Sequence, residues 1–468
     1  MNAVGADPAY AQVLGYIHGL YRFGSRLGLS RQRRLLAALG DPHLGLRVIH
    51  VAGTNGKGSV AAMLASVLTA AGYRTGLYIS PYIEEFSERI SVDGLRISPA
   101  ETVRLVEEEV RPASEGLAAT GRDQDQVTEF EFVTALGFVH FARRAVDFVV
   151  LEVGLGGRFD ATNVVDRPLL SVITSIGLDH MDRLGPTVRD IAAEKAAIIK
   201  RSSPVVSAPQ CPEALSVIAA AAARRDAPLY LAGRDGKVEL VSFSPTGQDI
   251  VFRGPSFPEV TGLRLPLLGP HQLDNAATAL TAAGVLRLRG QAPSLNAAAL
   301  REGLAATVWP GRFEIFGDSP PVVVDGAHNA PGARALAEAL RRCFPGRPIV
   351  LVLGVLADKD VDALLSFVLP PALPEVVSVV TCEPASPRAM PAAALAERIR
   401  GLHPGLTVTV SPTVEKAVAG AVAAAVTAAP PGPRAVVCVA GSLYQVGHAR
   451  AAARAVAGRG PARRGEVT

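Results

Sequence analysis

Short runs of consecutive apolar residues recur along the first half of the chain, each ending in small or polar residues. They occupy 47–51, 75–79, 146–153 and 169–176. Runs of that length, apolar without alternation, predict strands buried on both faces. Between them, at 59–71, 100–110, 129–142 and 188–200, the apolar positions return at helical spacing. Residues 10–39 are helical in character as well, through Val13, Ile17 and Leu20, then Leu35, Leu36 and Leu39. Strands alternating with helices predict an α/β fold built on a doubly wound, mostly parallel sheet.

The pattern changes at 229–262, where short strands joined by Gly and Asp turns predict a small antiparallel flap. Helices return at about 272–288 and 296–305, and from Phe313 a second strand–helix series begins. Its strand candidates are 322–329, 348–355, 375–383 and 435–442. The expected division is therefore a first domain over 1–306 and a smaller, Rossmann-like α/β domain over 307–468, ending in a basic, frayed tail at 452–468.

Composition narrows the classes. A chain of 468 residues is too long for one ordinary core. None of its apolar runs reaches the ~20 residues of a membrane span. The beginning, MNAVGADPAY, lacks the basic and apolar regions of a secretory signal. With 47 basic and 43 acidic residues, the charge is too mild to argue for nucleic acid. Cys211, Cys343, Cys382 and Cys438 lie far apart, which argues against a disulfide framework or zinc and for a reducing cytoplasm.

The chemistry gathers where the strands end, the ligand side of an open α/β sheet. The first run leads into Gly53-Thr54-Asn55-Gly56-Lys57-Gly58-Ser59, a phosphate-loop-like turn between strand and helix. Its glycines let backbone N–H groups approach an anion, the following helix adds its positive end, and Lys57 is placed to neutralise a β/γ-phosphate. The spelling departs from G-x-x-x-x-G-K-[ST]. Val51 stands where the first glycine belongs, and Gly58 where a metal-holding hydroxyl belongs. The other runs end at Ser80, at Glu152 and at Asp179-His180, so oxygen and imidazole groups from neighbouring strands are expected to replace that hydroxyl around Mg²⁺. Plotted at about 100° per residue, Val188, Ile191, Ile198 and Ile199 share a stripe with Lys195 in its middle, while Lys200 falls opposite. Burial would lower the Lys195 pKa and leave a neutral amine able to take up CO₂ as a carbamate.

These residues resemble the folylpolyglutamate synthases and dihydrofolate synthases, relatives of the Mur peptidoglycan ligases. The resemblance is carried by YRFGSRLGLSR at 21–31, HVAGTNGKGS at 50–59, YISP at 78–81, ERISVDG at 88–94 and TEFEF at 128–132. It continues through LEVGLGGRFDATN at 151–163, 175–200, and LLGPHQLDNAATAL at 267–280. In the second half it is carried by WPGRFEI at 309–315, DGAHNAPGA at 325–333, LGVLADKD at 353–360 and AGSLYQVG at 440–447. It implies a Mur-ligase-like P-loop domain and an ATP-dependent ligase joining L-glutamate to dihydropteroate or a reduced folate, active as a monomer. By the same resemblance Gly53–Ser59, Asn275, Arg312 and Asp325 contact ATP. Ser80, Glu152 and His180 hold Mg²⁺, and Lys195 is the carbamylated position. His328 lies beside the phosphates and is the candidate base. Phe130, Asp160 and Ala161 line a pterin site, which favours an enzyme with both activities. Tyr82 stands where relatives often have His. The rival readings are a Mur-type ligase acting on a UDP-muramyl substrate, a P-loop switch ATPase and a non-catalytic binding module. The first would require a nucleotide-sugar domain ahead of the loop, for which 52 residues are too few.

Overall fold

In the computed structural model, residues 7–23, 28–119, 126–427 and 434–458 are described. Part of the YRFGSRLGLSR motif and most of the basic tail lie outside them. The apolar runs form an eight-stranded sheet ordered Leu95–Arg96, Ile90–Val92, Thr75–Tyr78, Phe148–Glu152, Val48–Ala52, Leu170–Ile173, Val205–Ser207 and Leu229–Leu231. The six strands from Thr75–Tyr78 onward pair in parallel, and the first two add an antiparallel edge. The central strands Val48–Ala52 and Phe148–Glu152 are buried at every position, as strands covered on both faces must be.

Helix Lys57–Ala70 packs against Pro270–Leu288 and Ala297–Ala305 over one face. Gly303 permits that approach, since a Cβ there would overlap the Val67 backbone. The other face is covered by Pro8–Gly19, Ser30–Ala38 and Glu129–Arg143, and the helical region at 10–39 holds the first two of these helices. The flap is three antiparallel strands, Lys237–Ser244, Gly247–Gly254 and Phe257–Leu265, which bury Ile250, Phe252 and Val260 against the first core. Leu229–Leu231, read from the sequence as flap, instead closes the edge of the large sheet.

A second sheet follows in the order Glu314–Phe316, Val322–Val324, Val436–Ala440, Ile349–Leu353, Val376–Thr381 and Thr407–Val410. It is parallel except for its first strand. Among the described residues no helix is long and apolar enough to cross a membrane.

Candidate active site

Four adjacent strands of the first sheet deliver their carboxyl ends to one place. Ser80 follows Tyr78, Glu152 ends its strand beside Val51, Gly53 follows Ala52, and Asp179-His180 follow Ile173. From the second sheet, three adjacent strands deliver Asp325–Asn329, Ser442–Tyr444 and Lys359. Both sets line one cleft of about 450 Å³.

The loop 53–59 is shaped for an anion. Thr54 and Asn55 spend their N–H groups on the Ser175 carbonyl (2.8 and 3.2 Å), while the first N–H groups of the helix beginning at Lys57 have no intrahelical acceptor. Gly56 has φ +86°, and a Cβ there would overlap the Asn275 amide. At Gly58 a Cβ would overlap the Trp309 indole, so a hydroxyl-bearing residue, which the usual loop spelling has there, would have to displace that ring. The Lys57 ammonium donates to the Thr54 carbonyl at 3.1 Å.

Glu152 is buried, and burial pushes its carboxyl up to about 7 against the pull of Lys57 and the Ser80 amide. That amide donates to Glu152 Oε2 at 3.1 Å, while the Ser80 hydroxyl is buried without a partner. His180 has φ +50°, uncommon for a side-chain-bearing residue. Burial pushes its imidazole down to about 4. Lys195 is 4% exposed and lines the cleft; burial, then the Lys57 charge, pushes it down to about 7. Its helix ends at Ala196, so Ile198 and Ile199 are buried from the turn beyond it. Lys200 is half-buried, donating to the Asn163 carbonyl at 3.4 Å, and is not the solvent lysine the helical projection predicts.

Asp179 is the hub across the cleft. Lys359 Nζ lies 2.6 Å from its Oδ1 and 3.3 Å from His180 Nε2, and Asn329 donates to its Oδ2 at 2.9 Å. Burial pushes the Asp179 carboxyl up, but His328, Lys359 and His180 together outweigh it and hold it far below the usual carboxylate range. Asn329 also exchanges amide hydrogen bonds with Asn55 of the phosphate loop, at 3.0 and 3.1 Å. His328 donates Nδ1–H to the Gly326 carbonyl at 2.8 Å, and its Nε2 faces Asp179 Oδ2 at 3.6 Å. Asp325 accepts from the Phe313 and Ala327 amides (2.8 and 2.7 Å) and so fixes the turns flanking Arg312 and His328. Burial lowers the Arg312 guanidinium, which lines the cleft.

Three sequence candidates stand apart from the cleft lining. The Phe130 ring packs on Gly154, where a Cβ would lie 2.5 Å from it. Asp160 is saturated, accepting from the Gly154 and Leu155 amides at 3.0 and 2.9 Å and from the Thr162 amide and hydroxyl at 3.0 and 2.5 Å. Ala161 is buried in the turn that Asp160 caps. Phe130 and Asp160 thus contact the 154–162 loop, of which Ala161 is part. Sequence reasoning missed Asn329, Lys359 and Trp309 as individual residues, although each lies within a motif it singled out.

Two family models match the chain, the Mur ligase middle domain over residues 51–283 and the Mur ligase glutamate ligase domain over 311–443. The chain is 45% identical over 358 residues to the dihydrofolate synthase/folylpolyglutamate synthase of Bacillus subtilis, covering 76% of this chain and 82% of that protein. It is 41% identical over 384 residues to the folylpolyglutamate synthase of Lacticaseibacillus casei, covering 82% and 88%. The crystal structure of Mycobacterium tuberculosis folylpolyglutamate synthase complexed with ADP and AMPPCP superposes with a TM-score of 0.87 at 36% identity, over 97% of this chain and 100% of that one. With a phosphate loop facing a second α/β domain across the cleft, the chain belongs to the folylpolyglutamate synthase/dihydrofolate synthase family of ATP-dependent ligases.

Proposed function

We propose that the chain joins L-glutamate to the carboxylate of dihydropteroate, of a reduced folate or of both, with ATP converted to ADP and phosphate. The carrying observation is the single cleft into which both sheets direct their strand ends. We place the domain division at 306/307 and assign glutamate to the second domain. Free cysteines support a reducing cytoplasm, and a monomer suffices because one chain supplies every group named.

A carboxylate resists attack by an amine, and ATP removes that resistance. A carboxylate oxygen attacks the γ-phosphorus, forming a C–O–P linkage while the bond to the β-phosphate oxygen breaks. The amine of glutamate then attacks the carbonyl carbon, and the C–O bond breaks to release phosphate. Lys57 and the N–H groups of 56–59 hold the transferring oxygens, with Thr54, Asn55, Asn275, Arg312 and Asp325 orienting the nucleotide. His328 Nε2 is the base for the ammonium proton of glutamate. The clamped domains exclude water that would hydrolyse the acyl phosphate.

Ser80, Glu152 and His180 would hold Mg²⁺. Among the described residues no three His, Cys, Asp or Glu side chains form a metal cluster. The unpartnered Ser80 hydroxyl and the buried Glu152 acid nevertheless fit a hard cation that keeps waters and phosphate oxygens as its other ligands. Such a cation neutralises phosphate charge.

If Lys195 is carbamylated, the neutral amine is required, so ¹³C-carbamate formed from labelled bicarbonate should grow as pH rises through about 7. Lys195→Ala should then lose activity and be partly rescued by short carboxylic acids; absence of both signals removes the carbamate. Gly58→Ser, which restores the usual loop spelling, should instead weaken ATP binding about tenfold, because its Cβ must displace the Trp309 ring at a cost of about 1–3 kcal/mol. Trp309 is the chain's one tryptophan, so its fluorescence reads the titration directly.

The activity itself is tested by ADP release with dihydropteroate and tetrahydrofolate side by side, each with and without glutamate. Release that needs both an acid and glutamate is expected. Release without either contradicts the proposal.

A further inference from the structure

The loop after Ser80 belongs mechanically to the other domain. Ile83 packs against the second domain's core, and its carbonyl sits so close to helix Val446–Val456 that a Cβ at Gly447 would lie 2.6 Å from it. The Glu88 carboxylate accepts from the Ile83, Glu84 and Glu85 amides at 2.7, 3.2 and 3.2 Å, which stiffens the loop from within. Next in sequence to Ile83, Glu84 reaches Arg450 Nη1 at 2.6 Å. The same guanidinium binds Glu314 in a fork, Nε to Oε2 at 2.7 Å and Nη2 to Oε1 at 3.1 Å, and its side chain is 8% exposed. Glu314 Oε2 also accepts from the Gly311 amide at 2.6 Å, immediately before Arg312.

Arg450 therefore stands between two short tethers. One runs from Glu84 back to Ser80, whose amide is on Glu152; the other runs from Glu314 to the turn carrying Arg312. A planar guanidinium holds two carboxylates at fixed geometry in a way an ammonium cannot.

From this junction we infer that Arg450 is a positioning residue. It fastens the Ser80 loop to the Arg312 turn and keeps the cleft assembled before ligands arrive. The inference rests on the reading of the cleft as the metal–nucleotide site. It has a kinetic signature, because a ligand that needs the assembled state binds more weakly in proportion to the fraction assembled, whereas the rate at saturation is unchanged.

The experiment compares Glu84→Gln and Arg450→Lys with the parent in ADP release, titrating ATP and Mg²⁺ separately. Arg454→Gln serves as the control, since that side chain is 45% exposed and lies 3.4 Å from Glu84. Both test variants should raise KM for ATP and half-saturating Mg²⁺ by about five- to tenfold, with kcat within about twofold; the control should move neither. A lowered Tm with both constants unchanged in the test variants is the result of a merely structural ion pair and overturns the inference. An equal shift in Arg454→Gln overturns it as well, because surface charge alone would then suffice. A parent without Mg²⁺-dependent ADP release would instead overturn the underlying reading of the cleft.

Discussion

Lys57→Ala is expected to lose about a thousandfold or more in kcat while melting within a few degrees of the parent. Lys57 opens the helix after the phosphate loop, and its ammonium donates to the Thr54 carbonyl at 3.1 Å. Losing that bond costs about 1 kcal/mol, too little to unfold a chain with cores in both halves. What disappears is the positive charge proposed to face the phosphate oxygens, whose charge shifts during transfer. A single preorganised donor of this kind is worth about 10²–10³ in rate, and a full charge more. Lys57 also bears on two neighbours, holding the Glu152 carboxyl down and the Lys195 amine down. The variant therefore disturbs the proposed metal ligand Glu152 as well as the proposed phosphate contact. Steady-state ADP release together with a thermal melt checks the result, and full turnover in a folded variant removes Lys57 from the chemistry.

Glu152→Gln should raise half-saturating Mg²⁺ by about a hundredfold and lower kcat, because an amide oxygen carries no net charge for the cation. It should also have an effect of opposite sign on stability. Burial raises the Glu152 carboxyl from its ordinary 4.5 to about 7, so between those pH values the folded chain binds more protons than the unfolded one. Stability from this group is fully present below about 4.5 and is lost as pH rises through about 7. Without metal, the glutamine variant should therefore melt above the parent at pH about 8 and level with it at pH about 4.5. A parent that is the more stable of the two at pH about 8 would contradict the burial argument, and an unchanged Mg²⁺ titration would contradict ligation.

Much of the first sheet is legible in the sequence because its central strands are buried on both faces. Val48–Ala52 and Phe148–Glu152 read as uninterrupted apolar runs for that reason. Short edge strands leave no such trace. Leu95–Arg96 is exposed at both positions and has no pattern to recognise, while half-buried Leu229–Leu231 reads as a strand without a sign of which sheet it joins. The helical projection placed Lys195 correctly inside the apolar stripe but failed at Lys200, because the helix ends at Ala196 and the chain turns inward.

Legibility of the site follows the same rule. Groups that end a strand and point into the cleft can be found one at a time, as Ser80, Glu152 and His180 were. Pairings between Asp179 and Lys359, or between Asn55 and Asn329, join residues well over a hundred positions apart across two domains, and local periodicity carries no information about them. The missing hydroxyl at Gly58 is the instructive case. The Trp309 ring, distant in sequence, occupies the space that a Cβ there would need.

The central claim is that strand ends from the first sheet gather one metal–triphosphate, which the second sheet covers. Anomalous diffraction from a crystal grown with Mn²⁺ and a non-hydrolysable ATP analogue tests it most directly. One strong peak is expected in contact with the Ser80 hydroxyl and the Glu152 carboxylate, with the phosphates on the N–H groups of 56–59 beside Lys57. A peak remote from both oxygens, or a triphosphate bound away from the loop, would contradict it.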